Sequence, residues 1–184
     1  MIPKYYAYPV ESHLLKGGDF VLGIEKIENM QLEIQELHEQ HYQETETLYM
    51  SEPFDPDYPR YIAGEKNGTF VVFTCRDATG KMVGYLQYYV YRSMHSRKLL
   101  QAREDALFLT KSVRGVGLAP KLLKYAEHCL AQLGCTHVGM SSKAPCGGPD
   151  LDGFLRRMDY APVATYYVKK LGAANAQVEA PKAA

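Results

Sequence analysis

LFLTKSVRGVGLAPKLLKYAEHCLAQLG, residues 107–134, carries three local signals in an unbroken order. The apolar run from Ala106 to Thr110 suits a buried central strand. Gly115 and Gly117 follow almost at once. Leu122, Ala126, Leu130 and Leu133 then recur at helical spacing, with Pro120 acceptable in the first turn and Gly134 placed to end the helix. A strand, a glycine loop and a helix in this order bring unpaired main-chain N–H groups and the positive end of a helix dipole to one spot. Such a turn binds anions, and glycine matters because a side chain would block phosphate oxygens from the main chain. A diphosphate is the fitting guest; the alternative is a tight turn that binds nothing. Two familiar phosphate loops are absent. There is no G-x-x-x-x-G-K-[ST], and Pro120 occupies the third glycine position of G-x-G-x-x-G.

Upstream, β-branched and aromatic residues crowd between Thr69 and Cys75, turn residues follow from Asp77 to Gly80, and Met82 to Tyr91 is again rich in Val and Tyr. This predicts a β-hairpin. Phe20 to Ile24 reads as a first strand, and Asn29 as the cap of a helix through His41 or beyond, with Met30, Ile34 and Leu37 on its apolar face. SEPFDPDYPRY, residues 51–61, has three prolines and reads as a connecting loop. Downstream, the pattern predicts a strand from His137 to Ser141, a loop at APCGGPD (residues 144–150), a short helix from Leu151 to Met158 and a last strand from Ala164 to Leu171. One domain over residues 1–172 is the expectation, with residues 173–184 as a disordered, alanine-rich tail.

Lys plus Arg and Asp plus Glu both number 21, so no global field draws the molecule to nucleic acid or an anionic surface. The residues Arg92, Arg97, Lys98 and Arg103 form the one local basic stripe that would suit a nucleic-acid base. The four cysteines make no C-x-x-C pair, and the start lacks the apolar stretch of a secretory signal. No apolar run is long enough to span a bilayer. A cytoplasmic protein with free thiols, no metal and no membrane partner is expected, as a monomer or small oligomer such as a homodimer.

Arg114, Gly117 and Ala119 match the R/Q-x-x-G-x-G/A signature of the GCN5-related N-acetyltransferase (GNAT) family. EDALFLTKSVRG, residues 104–115, resembles that family's fourth strand and its lead-in, and FLRRMDYAP, residues 154–162, is similar to its FYEKLGFxP near the C-terminus. The resemblance covers roughly Thr69 to Leu171. It implies an α/β (α+β) acyl-CoA N-acyltransferase fold: a mixed central sheet with helices on both faces and a splayed pair of parallel strands. It also implies an enzyme that moves an acetyl group from acetyl-CoA directly to a primary amine of a small molecule or a protein, through a tetrahedral intermediate.

Carried over by position, the main chain of Arg114, Gly115, Val116, Gly117, Leu118 and Ala119 would wrap the coenzyme A diphosphate. Leu109 and Thr110 would lie along the pantetheine arm, with the N–H near Leu109 polarising the thioester carbonyl. A fixed donor there lowers the barrier to an oxyanion by ~3 kcal/mol. Lys121 and Lys124 could meet the outer phosphates or form a solvated helix face.

The attacking amine must also lose a proton. Glu104 and Asp105 stand about where the family keeps its general base; strand alternation sends them to opposite faces, so only one can serve. Asp105 matches better by position, Glu104 by reach. Leu155 occupies the place of the family's tyrosine acid, and Asp159 that of its glycine, where it can adopt a left-handed helix cap. Tyr160, Tyr166 and Tyr167 are nearby and read as strand or core aromatics.

His38 and His41 in HEQH lack the spacing of a zinc protease and read as solvated or interface residues. Cys146 reads as a plain loop cysteine. The run YLQYYVYRS, residues 85–93, could line an acceptor groove or only pack a sheet. Beside the acetyltransferase, two other classes fit: a relative that modifies a nucleobase or moves another acyl group, and a degenerate member that binds coenzyme A or a protein without catalysis, to which Leu155 points.

Overall fold

A computed structural model describes residues 13–14, 20–48, 50, 52–144 and 147–169. Six strands form one sheet in sequence order: β1 (His13–Leu14), β2 (Phe20–Ile24), β3 (Phe70–Asp77), β4 (Met82–Arg92), β5 (Leu100–Leu109) and β6 (His137–Gly139). Neighbours run antiparallel except β5 and β6, which are parallel. Helices α1 (Ile27–Thr45) and α2 (Tyr58–Lys66) precede β3; α3 (Leu118–Gln132) joins β5 to β6, and α4 (Asp152–Arg157) follows.

Period-two alternation along β3 builds two cores, one on each face of the sheet. Val71, Phe73 and Cys75 face α3, where Leu118, Leu122, Leu123, Ala126 and Leu130 are buried; Phe70 and Val72 face α1 with Ile27, Met30, Ile34 and Leu37. A fully buried leucine is worth about 1.5–3 kcal/mol, so the helical stripe read from Leu122, Ala126 and Leu130 fixes α3 on its face. The hairpin, the glycine loop, α3 and the first strand stand where the sequence places them.

Several elements differ. The end of the expected loop, residues 58–61, is instead the start of helix α2, because Pro59 falls in the first turn, where its missing N–H costs nothing, and the Asp57 carboxylate caps the Arg60 N–H at 3.1 Å. Asn29 is not a cap: α1 starts at Ile27, which is fully buried, and its N–H is taken by the Glu65 carboxylate of α2 at 3.1 and 3.2 Å. Burial of Ile27 thus sets the helix start. β5 begins at Leu100, well before Ala106, and β6 ends at Gly139. The strand expected from Ala164 is not formed over residues 164–169, where Tyr166, Tyr167 and Val168 are exposed. β propensity makes a strand only where a sheet edge accepts it. The expected tail at 173–184 and Cys146 lie outside the described residues.

Gly84 on β4 faces Leu109 across the ladder. A Cβ at Gly84 would overlap the Leu109 side chain and come within 2.8 Å of the Phe108 carbonyl oxygen. Gly84→Ala is therefore expected to lower stability by about 1–3 kcal/mol in urea unfolding. Gly23→Ala, whose Cβ would meet only Thr74 Oγ1 at 3.7 Å, should cost less than about 0.5 kcal/mol.

Candidate active site

β5 pairs with β6 only from Gln101 to Arg103, yet stays paired with β4 as far as Leu109. Residues 104–109 therefore border a gap between the two parallel strands. The Thr110 N–H donates to the Val83 carbonyl at 2.9 Å, so its neighbour Leu109, opposite Gly84, is in a non-hydrogen-bonded pair. Its N–H and carbonyl consequently point away from β4 and into the gap.

At the end of β5 the chain makes a 3-10 turn, Lys111–Val113, and then the glycine loop. Gly115 and Gly117 take φ of 81° and 77°, a left-handed conformation that a β-carbon disfavours. Through them the chain enters α3 without a side-chain cap. The N–H groups of Gly115, Val116, Gly117, Leu118 and Ala119 donate to no protein group among the described residues. Together with the dipole of a 15-residue helix they form a row of donors of the kind that suits an anion. A cavity of about 400 Å3 opens beside it, lined by Leu109, Arg114, the two glycines, Leu118 and Ala119 and also by Phe154 and Arg157 of α4 and Met158 just after it. Arg157 brings a cation to this wall that the sequence reading did not single out; FLRRMD marks only a helix, and its approach to the loop is tertiary. Lys121 and Lys124 are exposed on α3.

The Arg114 side chain turns back from the loop. Its Nε donates to the Leu109 carbonyl at 2.8 Å, its Nη2 reaches Glu44 of α1 at 2.8 Å, and the guanidinium lies 5.3 Å over the Phe108 ring.

The two candidate bases do part to opposite faces. A register shift sets Gln87 opposite Ala106 and Tyr88 opposite Glu104, which leaves Asp105 as the extra residue of a bulge. The Glu104 carboxylate accepts from the Ser141 hydroxyl at 2.7 Å and the Ser141 N–H at 3.2 Å, just past the last β6 rung. Asp105 lies on the α1 and α2 face, within electrostatic reach of Tyr61, Tyr85 and Tyr89. Burial lifts both carboxyls above the ordinary range; bonds from Ser141 oppose this at Glu104, and the Tyr89 hydroxyl opposes it at Asp105.

Alternate residues of β4, Tyr85 and Gln87, meet the two histidines. His38 and His41 are buried, not solvated. The Gln87 amide nitrogen donates to His38 Nε2 at 2.8 Å, which puts the ring proton on Nδ1, 3.2 Å from the Tyr58 hydroxyl; His41 Nδ1 lies 2.8 Å from the Tyr85 hydroxyl. Burial lowers His38 to about 4. It lowers His41 to about 3, with the cations Lys143 and Arg114 adding to the effect.

Leu155 is buried in the α3 core. Of the nearby tyrosines, Tyr160 packs against that core and its hydroxyl donates to Glu127 at 2.8 Å, whereas Tyr166 and Tyr167 are exposed rather than core aromatics, Tyr166 lying under Arg103. Asp159 has φ of 64°, the left-handed cap expected of it. Among the described residues no helix is long and apolar enough to cross a membrane, and no three His, Cys, Asp or Glu side chains cluster as metal ligands.

The model of the acetyltransferase (GNAT) family matches residues 32–147, more than half of the chain. The protein belongs to this family. No curated protein matches the sequence. Among solved structures, the fold is similar to glucosamine-6-phosphate N-acetyltransferase from Arabidopsis thaliana, at 13% identity and TM-score 0.62 over 83% of this chain and 99% of that one. It is also similar to an aminoglycoside acetyltransferase from an uncultured soil metagenomic sample in complex with sisomicin, at 17% identity and TM-score 0.60 over 83% and 97%. A third is ribosomal-protein-alanine N-acetyltransferase from Brucella melitensis biovar Abortus 2308, at 14% identity and TM-score 0.59 over 84% and 99%.

The neutral histidines give a test. A group whose folded value is depressed binds its proton later than the unfolded chain does, so each ring adds stability above about pH 6.5 that is lost as pH falls toward about 4 for His38 and about 3 for His41. Their ring resonances in NMR are expected to remain those of neutral imidazole at pH 5.5, where a free histidine is largely protonated. Half-protonation near pH 6.5 would contradict the buried network.

Proposed function

We propose that this protein is an acetyl-CoA-dependent N-acetyltransferase that moves the acetyl group directly onto a primary amine of a small molecule or a protein. The observation that carries the reading is the row of uncommitted main-chain donors from Gly115 to Ala119 beside a gap into which the Leu109 N–H points. Coenzyme A offers both halves of that pattern: a diphosphate for the row and a long, strand-like arm ending in a thioester for the gap. Acetyl-CoA supplies the activated acetyl group.

In this reading Arg114, Gly115, Val116, Gly117, Leu118 and Ala119 hold the diphosphate through their main chain, while Arg157, Lys121 and Lys124 supply cations around it. Leu109 and Thr110 line the arm, and the Leu109 N–H stabilises the charge that develops on the carbonyl oxygen, as a preorganised donor in a partly dry site. Asp105 takes the proton from the amine. Glu104 is less available, because its carboxylate already accepts twice from Ser141. The departing thiolate takes its proton from water, since Leu155 has none to give and the Tyr160 hydroxyl is committed to Glu127. The acceptor enters from the α1 and α2 face, where Tyr61 and Tyr89 stand beside Asp105.

Titration calorimetry with acetyl-CoA tests the cofactor half, and absence of binding at high micromolar concentration would sink it. Thiol release with a panel of amines tests the chemistry. Asp105→Asn is expected to lower kcat by about 10²–10⁴-fold, while Glu104→Gln, which can still accept from Ser141, should retain most of it. A base works only when ionised, so kcat/KM of the wild type should fall as pH drops through the raised Asp105 value, and that limb should vanish in Asp105→Asn. Equal rates for the wild type and Asp105→Asn would remove the assignment.

A further inference from the structure

The C-terminal corner of α1 is tied to both sides of the gap. On the β5 side, Glu44 receives Arg114 at 2.8 Å and Lys111 at 3.8 Å; on the β6 side, Glu46 pairs with Lys143. One segment follows the end of β5 at Leu109 and the other the end of β6 at Gly139, on the two sides of the gap. Only the Glu44 contact reaches the phosphate loop itself. The Arg114 guanidinium there is held by three partners at once: a carboxylate, the Leu109 carbonyl and the Phe108 ring. An exposed ion pair alone contributes little, but a planar guanidinium fixed at its Nε, at its Nη2 and on its face keeps one orientation. Arg114 is also the residue immediately before Gly115, so fixing its side chain restrains the first peptide of a loop whose glycines otherwise leave it free.

We infer that Glu44 is a positioning residue of the acetyl-CoA site, acting through Arg114 to hold the phosphate loop in its binding geometry; this rests on the acetyl-CoA reading above. Glu44 is not a phosphate ligand in this reading, since its own charge would repel one. Its contribution is to keep Arg114 turned inward, where the guanidinium draws the Leu109 carbonyl and leaves the loop's N–H groups facing out. The same contact links the acceptor-side helix to the cofactor loop.

A double-mutant cycle with acetyl-CoA affinity by calorimetry as readout tests this. Glu44→Gln, which keeps the shape and loses the charge, is expected to weaken binding about five- to tenfold, to raise KM for acetyl-CoA by a similar factor, and to leave kcat within about twofold. In an Arg114→Gln background the same change should have almost no further effect, because the partner through which Glu44 acts is gone. Glu46→Gln loosens the same corner without touching Arg114 and should leave affinity within about twofold. Wild-type affinity in Glu44→Gln, an equal loss in both backgrounds, or an equal loss in Glu46→Gln would overturn the inference while leaving the cofactor reading intact. A wild-type chain that does not bind acetyl-CoA overturns both. Thermal melts of each variant separate these effects from unfolding, and Glu44→Asp, which restores the charge, should recover part of the affinity even if Glu44→Gln is less stable.

Discussion

β5 leaves β6 after Arg103 but remains paired with β4 as far as Leu109, and the candidate site follows from that separation. A strand buried in a sheet spends its main-chain donors on both neighbours; a strand that loses one neighbour exposes every second peptide to whatever enters the gap. Two local features keep the gap open. Glu104 reaches across it and takes the Ser141 N–H and hydroxyl, so the next main-chain donor past the last β6 rung goes to a side chain. Gly84 lets Leu109 press against β4, which holds the end of β5 on the side away from β6.

The bulge at Asp105 divides labour between two adjacent carboxylates. One residue out of register is enough to seat Glu104 toward Ser141 and Asp105 toward the tyrosines of the α1 and α2 face. On that face polar groups are buried without loss, because each is matched: His38 with Gln87 and Tyr58, His41 with Tyr85. Keeping both rings neutral avoids a buried positive charge near Arg114 and Lys143. The result is a rigid wall behind Asp105 rather than a second set of titrating groups.

Sequence patterning works where the structure is decided by neighbours in the chain. The helical stripe at Leu122, Ala126 and Leu130, the glycines before it and the alternation in β3 and β4 each have one low-energy solution, and the hairpin, α3 and the glycine loop follow. The family motif adds the identity of the loop and the order of elements around it. Patterning fails where a distant residue completes a local structure. Glu65 supplies the α1 cap in place of Asn29, and Pro59 reads as a breaker until Asp57 is seen to cap the helix that contains it. The two histidines read as solvated or interface residues because HEQH carries no zinc-protease spacing; the aromatic and amide partners that bury them come from α2 and β4.

By itself, then, the sequence determined the layered sheet, the glycine turn from Arg114 to Ala119 and the position of two carboxylates on the strand before it, since these rest on periodicity, glycine conformation and short-range order. Only the tertiary structure decided which carboxylate faces the tyrosines, that Arg157 lines the cavity, and that Arg114 is held by Glu44, some seventy residues earlier in the chain. Those outcomes depend on a one-residue bulge and on side chains meeting across the sheet. No local pattern records such distances, because they are set by how the two cores pack.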